Sequence, residues 1–73
     1  MEVLAERLRA ALNKRGLSQR KFAAMLGVEQ TTFCAYCNAR RTPSVEMLVR
    51  ISELLDVPTD YLLGRTDNFE GEK

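Results

Sequence analysis

A chain of 73 residues, 45% hydrophobic and 29% charged, has half a typical domain's length and a globular balance, so one economically packed domain is expected rather than a disordered segment. It holds no histidine and no apolar run near the ~20 residues that span a bilayer, which excludes Ser-His-Asp and Cys-His nucleophiles, His-containing metal sites and a membrane span. Net charge is +1, yet residues 1–43 carry eight Lys/Arg against three Asp/Glu and residues 44–73 carry three against seven, a basic half suited to a polyanion joined to an acidic half.

The predicted elements are all helical, because no alternating β-branched run and no Asn-Gly or Asp-Gly hairpin turn occurs. Leu4, Leu8, Ala11 and Leu12 recur at helical spacing, so residues 2–14 read as an amphipathic helix that Gly16 ends. Ser18 is placed to cap a short helix from Gln19 to Leu26, with Phe22, Ala23 and Leu26 inward and Gly27 as its stop. A third helix runs from about Gln30 to Cys37, with Phe33 and Tyr36 inward. Pro43 breaks the chain, and Ser44 caps a fourth helix whose inward stripe is Val45, Leu48, Ile51 and Leu55. Pro58 opens a short fifth helix around Tyr61, Leu62 and Leu63, stopped by Gly64. The domain is expected over residues 1–64. Residues 65–73, with Phe69 as their one apolar side chain, are expected to form a loose, flexible C-terminal tail.

The informative segment runs from Gln19 to Asn38. Two short helices joined by Gly27-Val28-Glu29 form a helix-turn-helix, in which the helices meet at roughly 90–120°. Such a turn needs a residue tolerant of positive φ, met by Gly27, and the close crossing needs a small side chain, met by Ala23. Phe22, Leu26, Val28, Phe33 and Tyr36 fall where apolar groups wedge the helices together. A plain helical hairpin is the structural alternative.

Arg15-Gly16-Leu17-Ser18-Gln19, Phe22-Ala23 and Leu26-Gly27-Val28 resemble the Cro/cI-type (XRE) helix-turn-helix repressors. So do the later stretches from Arg40 to Glu46 and from Val57 to Gly64, and the resemblance covers residues 4–64. It implies a compact five-helix, lambda-repressor-like DNA-binding domain that acts as a transcriptional regulator, often as a homodimer on a palindromic operator. In such domains the second helix of the motif enters the major groove N-terminal end first. With Phe33 and Tyr36 inward, its outward stripe is Gln30, Thr31, Cys34, Ala35 and Asn38. Glutamine can bond an adenine edge and threonine can offer a hydroxyl or meet a thymine methyl, so Gln30 and Thr31 are the expected base readers. Ala35 offers a methyl contact, Cys34 on the same stripe is a further expected base contact, and Gln19 resembles the family's glutamine that bonds a phosphate or a base. Asn38, Arg40 and Arg41 stand where the family's loop meets phosphates, with Thr32, Arg20 and Lys21 as further phosphate candidates.

Three departures from the family pattern stand out. Glu29 takes the N-cap position usually held by Ser or Thr. Ala39 stands where glycine often follows asparagine, so the turn falls either to a strained Ala39 or to Asn38. Leu12 and Cys37 occupy positions where the family often pairs arginine with glutamate, so an apolar contact replaces an ion pair.

Cys34-Ala35-Tyr36-Cys37 is a C-x-x-C, but with no second pair and no histidine one chain lacks four soft ligands, so no metal and no cofactor is expected. Cys37 reads as structural and Cys34 as incidental. Two free thiols and no signal peptide at Met1-Glu2 suit the cytoplasm. The reading is sequence-specific binding of double-stranded DNA and transcriptional regulation, most simply repression, without catalysis or a small-molecule ligand. Dimer contacts are expected from the acidic half near Met47, Leu54 or Tyr61. The alternative is a protein-interaction module, such as an antitoxin or a regulator's partner, on the same fold. No acid–base pair with a cleft can be placed, so an enzyme is not expected.

Overall fold

The computed structural model describes residues 2–69. They form five helices and no strand: α1 (Glu2–Arg15), α2 (Gln19–Leu26), α3 (Gln30–Cys37), α4 (Val45–Leu55) and α5 (Thr59–Leu62). This is the five-helix, all-α arrangement that the breakers predict. Helix α1 lies against α3, α4 and α5, while α2 packs on α3 and α4. The apolar stripe of α1 is buried from Leu4 to Leu12. Phe22, Phe33, Leu8, Ile51 and Leu62 are fully enclosed with it, and no polar or charged side chain is buried among the described residues. Val45 departs from its expected inward position, being 78% exposed. It is the first residue of α4, whose packing on the core begins at Met47 and Leu48.

All five helices end in the same way. The residue after the last turn has positive φ: Gly16, Gly27, Ala39, Asp56 and Gly64. The next residue's amide then reaches back to the carbonyl five positions earlier, as Leu17 N–H to Leu12 O (2.9 Å), Val28 to Ala23 (3.1 Å), Arg40 to Ala35 (2.9 Å), Val57 to Ser52 (3.1 Å) and Arg65 to Asp60 (2.8 Å). This reversal satisfies carbonyls that a helix otherwise leaves open. After α1, α2 and α4 the returning residue is Leu17, Val28 or Val57, each packed on or within the core. A Cβ at Gly64 would come within 2.6 Å of Val3 Cγ2, so α1 and the end of α5 approach through the missing side chain.

Arginines from neighbouring helices complete three of these ends. Arg9 donates to the carbonyl of Cys37 at the end of α3. Arg15 donates to Leu55 O (2.9 Å) and Asp56 O (2.8 Å) at the end of α4. Arg50 donates to Leu26 O (2.6 Å) at the end of α2. A cation at a helix C-terminus meets both free carbonyls and the negative end of the dipole.

The chain beyond Gly64 differs from the expected loose tail as far as Phe69. Phe69 is buried and meets Tyr61 edge-on, with ring centroids 5.3 Å apart. Lys14 Nζ and Arg15 Cζ stand 4.7 and 4.5 Å from its ring centroid. Asp67 pairs with Arg7 at 2.6 Å, and Arg7 also lies over the Tyr61 ring. A single aromatic ring therefore docks on two cations and a tyrosine, enough apolar and cation–π contact to order five residues of strap. Residues 70–73 of the expected tail lie outside the described residues. Tyr61, expected as an exposed dimer contact, is buried by this strap.

If the strap is part of the fold, Phe69→Ala lowers stability by about 2–4 kcal/mol, read as a lower urea midpoint. An unchanged midpoint would mean that the segment contributes nothing.

Candidate nucleic-acid interface

Helix α2 starts where the Ser18 hydroxyl accepts from Lys21 N–H at 3.0 Å. It stops at Gly27 in the left-handed region, φ 77° and ψ 27°. A side chain there would be strained by its own backbone. Val28 and Glu29 turn the chain, and α3 begins with Glu29 in the extended N-cap conformation but with no side-chain cap bond. The Phe22 and Phe33 rings, 5.2 Å apart and tilted by 50°, hold α2 on α3, and Tyr36 meets Phe33 edge-on. Ala23, 1% exposed, lets the backbones approach beside them.

With Phe33, Tyr36 and Cys37 buried, the opposite side of α3 faces outward. Gln30, Thr31, Cys34, Ala35, Asn38 and Arg40 together line one shallow concavity. Gln30, Thr31, Asn38, Arg40 and Arg41 are exposed, and Cys34, Ala35 and Thr32 are half-buried. Gln19 joins this group through α2, because its Oε1 accepts from Cys34 Sγ–H at 2.9 Å. Arg20 and Lys21 are exposed on α2, and they, Thr32 and Arg41 lie outside the lining of the concavity. The structure thus collects six of the predicted residues directly and a seventh by a hydrogen bond.

The loop after α3 is tied at both ends. The amides of Arg40 and Arg41 both return to Ala35 O, at 2.9 and 3.3 Å. Pro43 is buried, and the Ser44 hydroxyl accepts from Met47 N–H at 3.1 Å. Arg40 and Arg41 are therefore carried on a fixed backbone. Neither ion pair among the described residues uses Arg20, Lys21, Arg40 or Arg41.

Of the two ways to make the turn after α3, the structure takes Ala39. It has φ 62°, whereas Asn38 stays at φ −112°. Sequence reasoning missed Arg9. It lies one helical turn before Leu12, where the resemblance drew attention, and holds the Cys37 carbonyl. The signal was an arginine on the same face of α1, three residues from the expected pair.

The cysteines have different surroundings. Cys37 is fully buried, and burial, with a smaller contribution from Cys34, pushes its thiol pKa up to about 12. It therefore stays protonated and apolar. Cys34 is half-buried on the outward side. No group of three His, Cys, Asp or Glu among the described residues is arranged to hold a metal.

The helix-turn-helix family profile matches residues 8–62. The chain belongs to the XRE-type helix-turn-helix family. It is 34% identical over 64 residues to the HTH-type transcriptional regulator ImmR of Bacillus subtilis (strain 168), covering 88% of this chain and 50% of that protein. It is 35% identical over 60 residues to the HTH-type transcriptional regulator AnsR of the same organism, covering 82% of this chain and 52% of that one. The chain thus spans about half the length of these curated relatives. No solved structure matches it. Among the described residues, no helix of this family member is long and apolar enough to cross a membrane.

Ala39→Gly removes a left-handed alanine and raises stability by about 0.5–1 kcal/mol, read from melting curves. For Cys37, the native thiol keeps its proton up to about pH 12 while the unfolded one loses it near 9.0. The native state therefore binds more protons between those values, and stability falls as pH rises through that window. The advantage of wild type over Cys37→Ala should be constant below pH 9 and shrink above it, by up to ~1.4 kcal/mol per pH unit. Parallel urea curves from pH 7 to alkaline pH would overturn this.

Proposed function

We propose that this domain binds double-stranded DNA sequence-specifically and regulates transcription, as a repressor that occupies an operator. One observation carries the reading. At the N-terminal end of α3, Gln30 and Thr31 are exposed and their side chains make no hydrogen bond among the described residues. Arg20, Lys21, Arg40 and Arg41 are exposed on the flanking segments. The matched relatives' names, as transcriptional regulators, support the same reading.

The major groove, about 12 Å wide, admits a helix of about 10–12 Å diameter. With α3 in it, Gln30 and Thr31 meet base edges. Gln30 suits adenine through paired donor and acceptor, and Thr31 suits a hydroxyl or methyl contact. Ala35 is limited to a methyl contact, and Gln19 and Cys34 share the same edge. Asn38, Arg40 and Arg41 on the tied loop, with Thr32, Arg20 and Lys21, take phosphates, which position the helix and make affinity salt-dependent. Occupancy then excludes polymerase, with no bond made or broken and no cofactor or small ligand required. The site of action is the cytoplasm.

One such helix reads about four or five base pairs, too few to select a site in a genome. Two copies on a palindromic operator, with half-sites about 10–11 base pairs apart, supply the rest. Leu54, 41% exposed in the acidic half, is available to the homodimer contact.

The test compares operator sequences, selected from a random duplex pool, with random DNA. Gln30→Ala costs about 1–3 kcal/mol on the selected site and little on random DNA. Arg41→Ala weakens both alike and reduces the slope of log K against log salt by about 1 per protomer. Equal losses on both DNAs for Gln30→Ala, or an unchanged salt slope for Arg41→Ala, would leave the protein-interaction module as the better reading.

A further inference from the structure

Gln19 opens α2, and Cys34 lies on α3 one turn beyond Gln30. Their contact, Sγ–H to Oε1 at 2.9 Å, is the only side-chain hydrogen bond that joins α2 to α3 among the described residues. Both side chains are half-buried, so each has one side against protein and one toward the outer surface. Cys34 also lines the concavity with Gln30 and Thr31.

A glutamine amide has an acceptor end and a donor end, and on an open surface it rotates between them. A thiol is a weak donor and a weak acceptor, and here it donates, to the carbonyl end of Gln19. That choice turns the Nε2 end, with its two N–H groups, away from the sulfur. Gln30 has no such partner among the described residues and keeps both ends available. The two glutamines at the starts of the two helices are therefore chemically different readers.

We propose that Cys34 is a positioning residue: its thiol holds Gln19 with the amide N–H groups presented to DNA, so that Gln19 reads a hydrogen-bond acceptor. This rests on the DNA-binding reading above. The acceptor is a phosphate oxygen or an acceptor on a base edge, such as guanine O6 or N7 or thymine O4. Cys34 thus acts through Gln19 rather than by touching a base itself. Serine at the same place keeps a donor but adds a good acceptor, so it holds Gln19 without fixing which amide end faces outward, whereas valine and alanine release it.

The first measurement needs no DNA. In proton–nitrogen NMR spectra of the free domain, the Gln19 side-chain amide pair should be rigid and displaced from the other glutamines. That signature should survive Cys34→Ser and collapse toward free-glutamine values in Cys34→Val and Cys34→Ala. The second is duplex binding on the selected site. Cys34→Val and Cys34→Ala should weaken it about three- to tenfold, the size of one ordinary hydrogen bond, with Cys34→Ser between them and wild type. In a Gln19→Ala background the Cys34 changes should have no further effect. If Gln19→Ala weakens selected and random DNA equally, the acceptor is a phosphate; if only selected DNA suffers, it is a base. An unmoved Gln19 amide in both non-donor variants, or a Cys34 effect that persists without Gln19, overturns the proposal. Wild-type protein that shows no preference for any duplex overturns the DNA-binding reading as well, whereas full selectivity in Cys34→Val and Cys34→Ala overturns this inference alone.

Discussion

The Phe22–Phe33 contact sets the geometry on which the outer surface depends. The two rings are fully buried and sit 5.2 Å apart, one from each helix of the motif. Neither helix is longer than eight residues, too short to persist alone in water. Tertiary contact therefore supplies both their stability and their angle. Once Phe33, Tyr36 and Cys37 are committed inward, the 3.6-residue period sends Gln30, Thr31, Cys34 and Ala35 outward. Ala23 and Gly27 are the accommodations that this contact requires, one for close approach and one for the reversal.

The helix ends impose a second constraint. A small all-helical domain exposes many unpaired carbonyls in proportion to its core. Here a left-handed residue closes each end, and arginines from other helices reinforce three of them. This changes the meaning of the charge asymmetry. Arg9 and Arg15 belong to the basic half of the chain, yet their guanidinium groups hold α3 and α4, and Arg7 holds the C-terminal strap. The bases left outward on and around the motif are Arg20, Lys21, Arg40 and Arg41. The exposed basic groups on and around the motif are fewer than the count of basic residues implies, and Arg40 lines the concavity itself.

The C-x-x-C illustrates how one turn of helix separates chemistry. Positions three apart on α3 lie on neighbouring parts of its surface, but Cys37 falls within the packed interior and Cys34 at its margin. Burial keeps the Cys37 thiol neutral, so it behaves as a small apolar side chain in the same buried core as Leu12, with no ion pair there. Cys34 keeps a polar partner across the helix pair. The same residue type thus packs in one place and orients in the other.

The helices and the motif were legible in the residue order alone. The extents of α2 and α3, the stop at Gly27, the caps at Ser18 and Ser44 and the outward stripe of α3 all follow from local signals, because breakers, caps and a 3.6-residue period act within a few residues. The rest depends on contacts between distant segments. Arg9, Arg15 and Arg50 reach carbonyls 24–41 residues away, and no local pattern marks an arginine as a helix-end partner rather than a solvated charge. Phe69 looked like an isolated apolar residue in a polar tail, and its burial depends on Tyr61, Lys14 and Arg15 meeting at one place. Between Asn38 and Ala39, either could make the left-handed turn on local grounds, and the path from α3 into the tied loop assigned it to Ala39. The Gln19–Cys34 bond spans 15 residues and exists only because the aromatic contact crosses the two helices there, a consequence of packing that spacing alone does not encode.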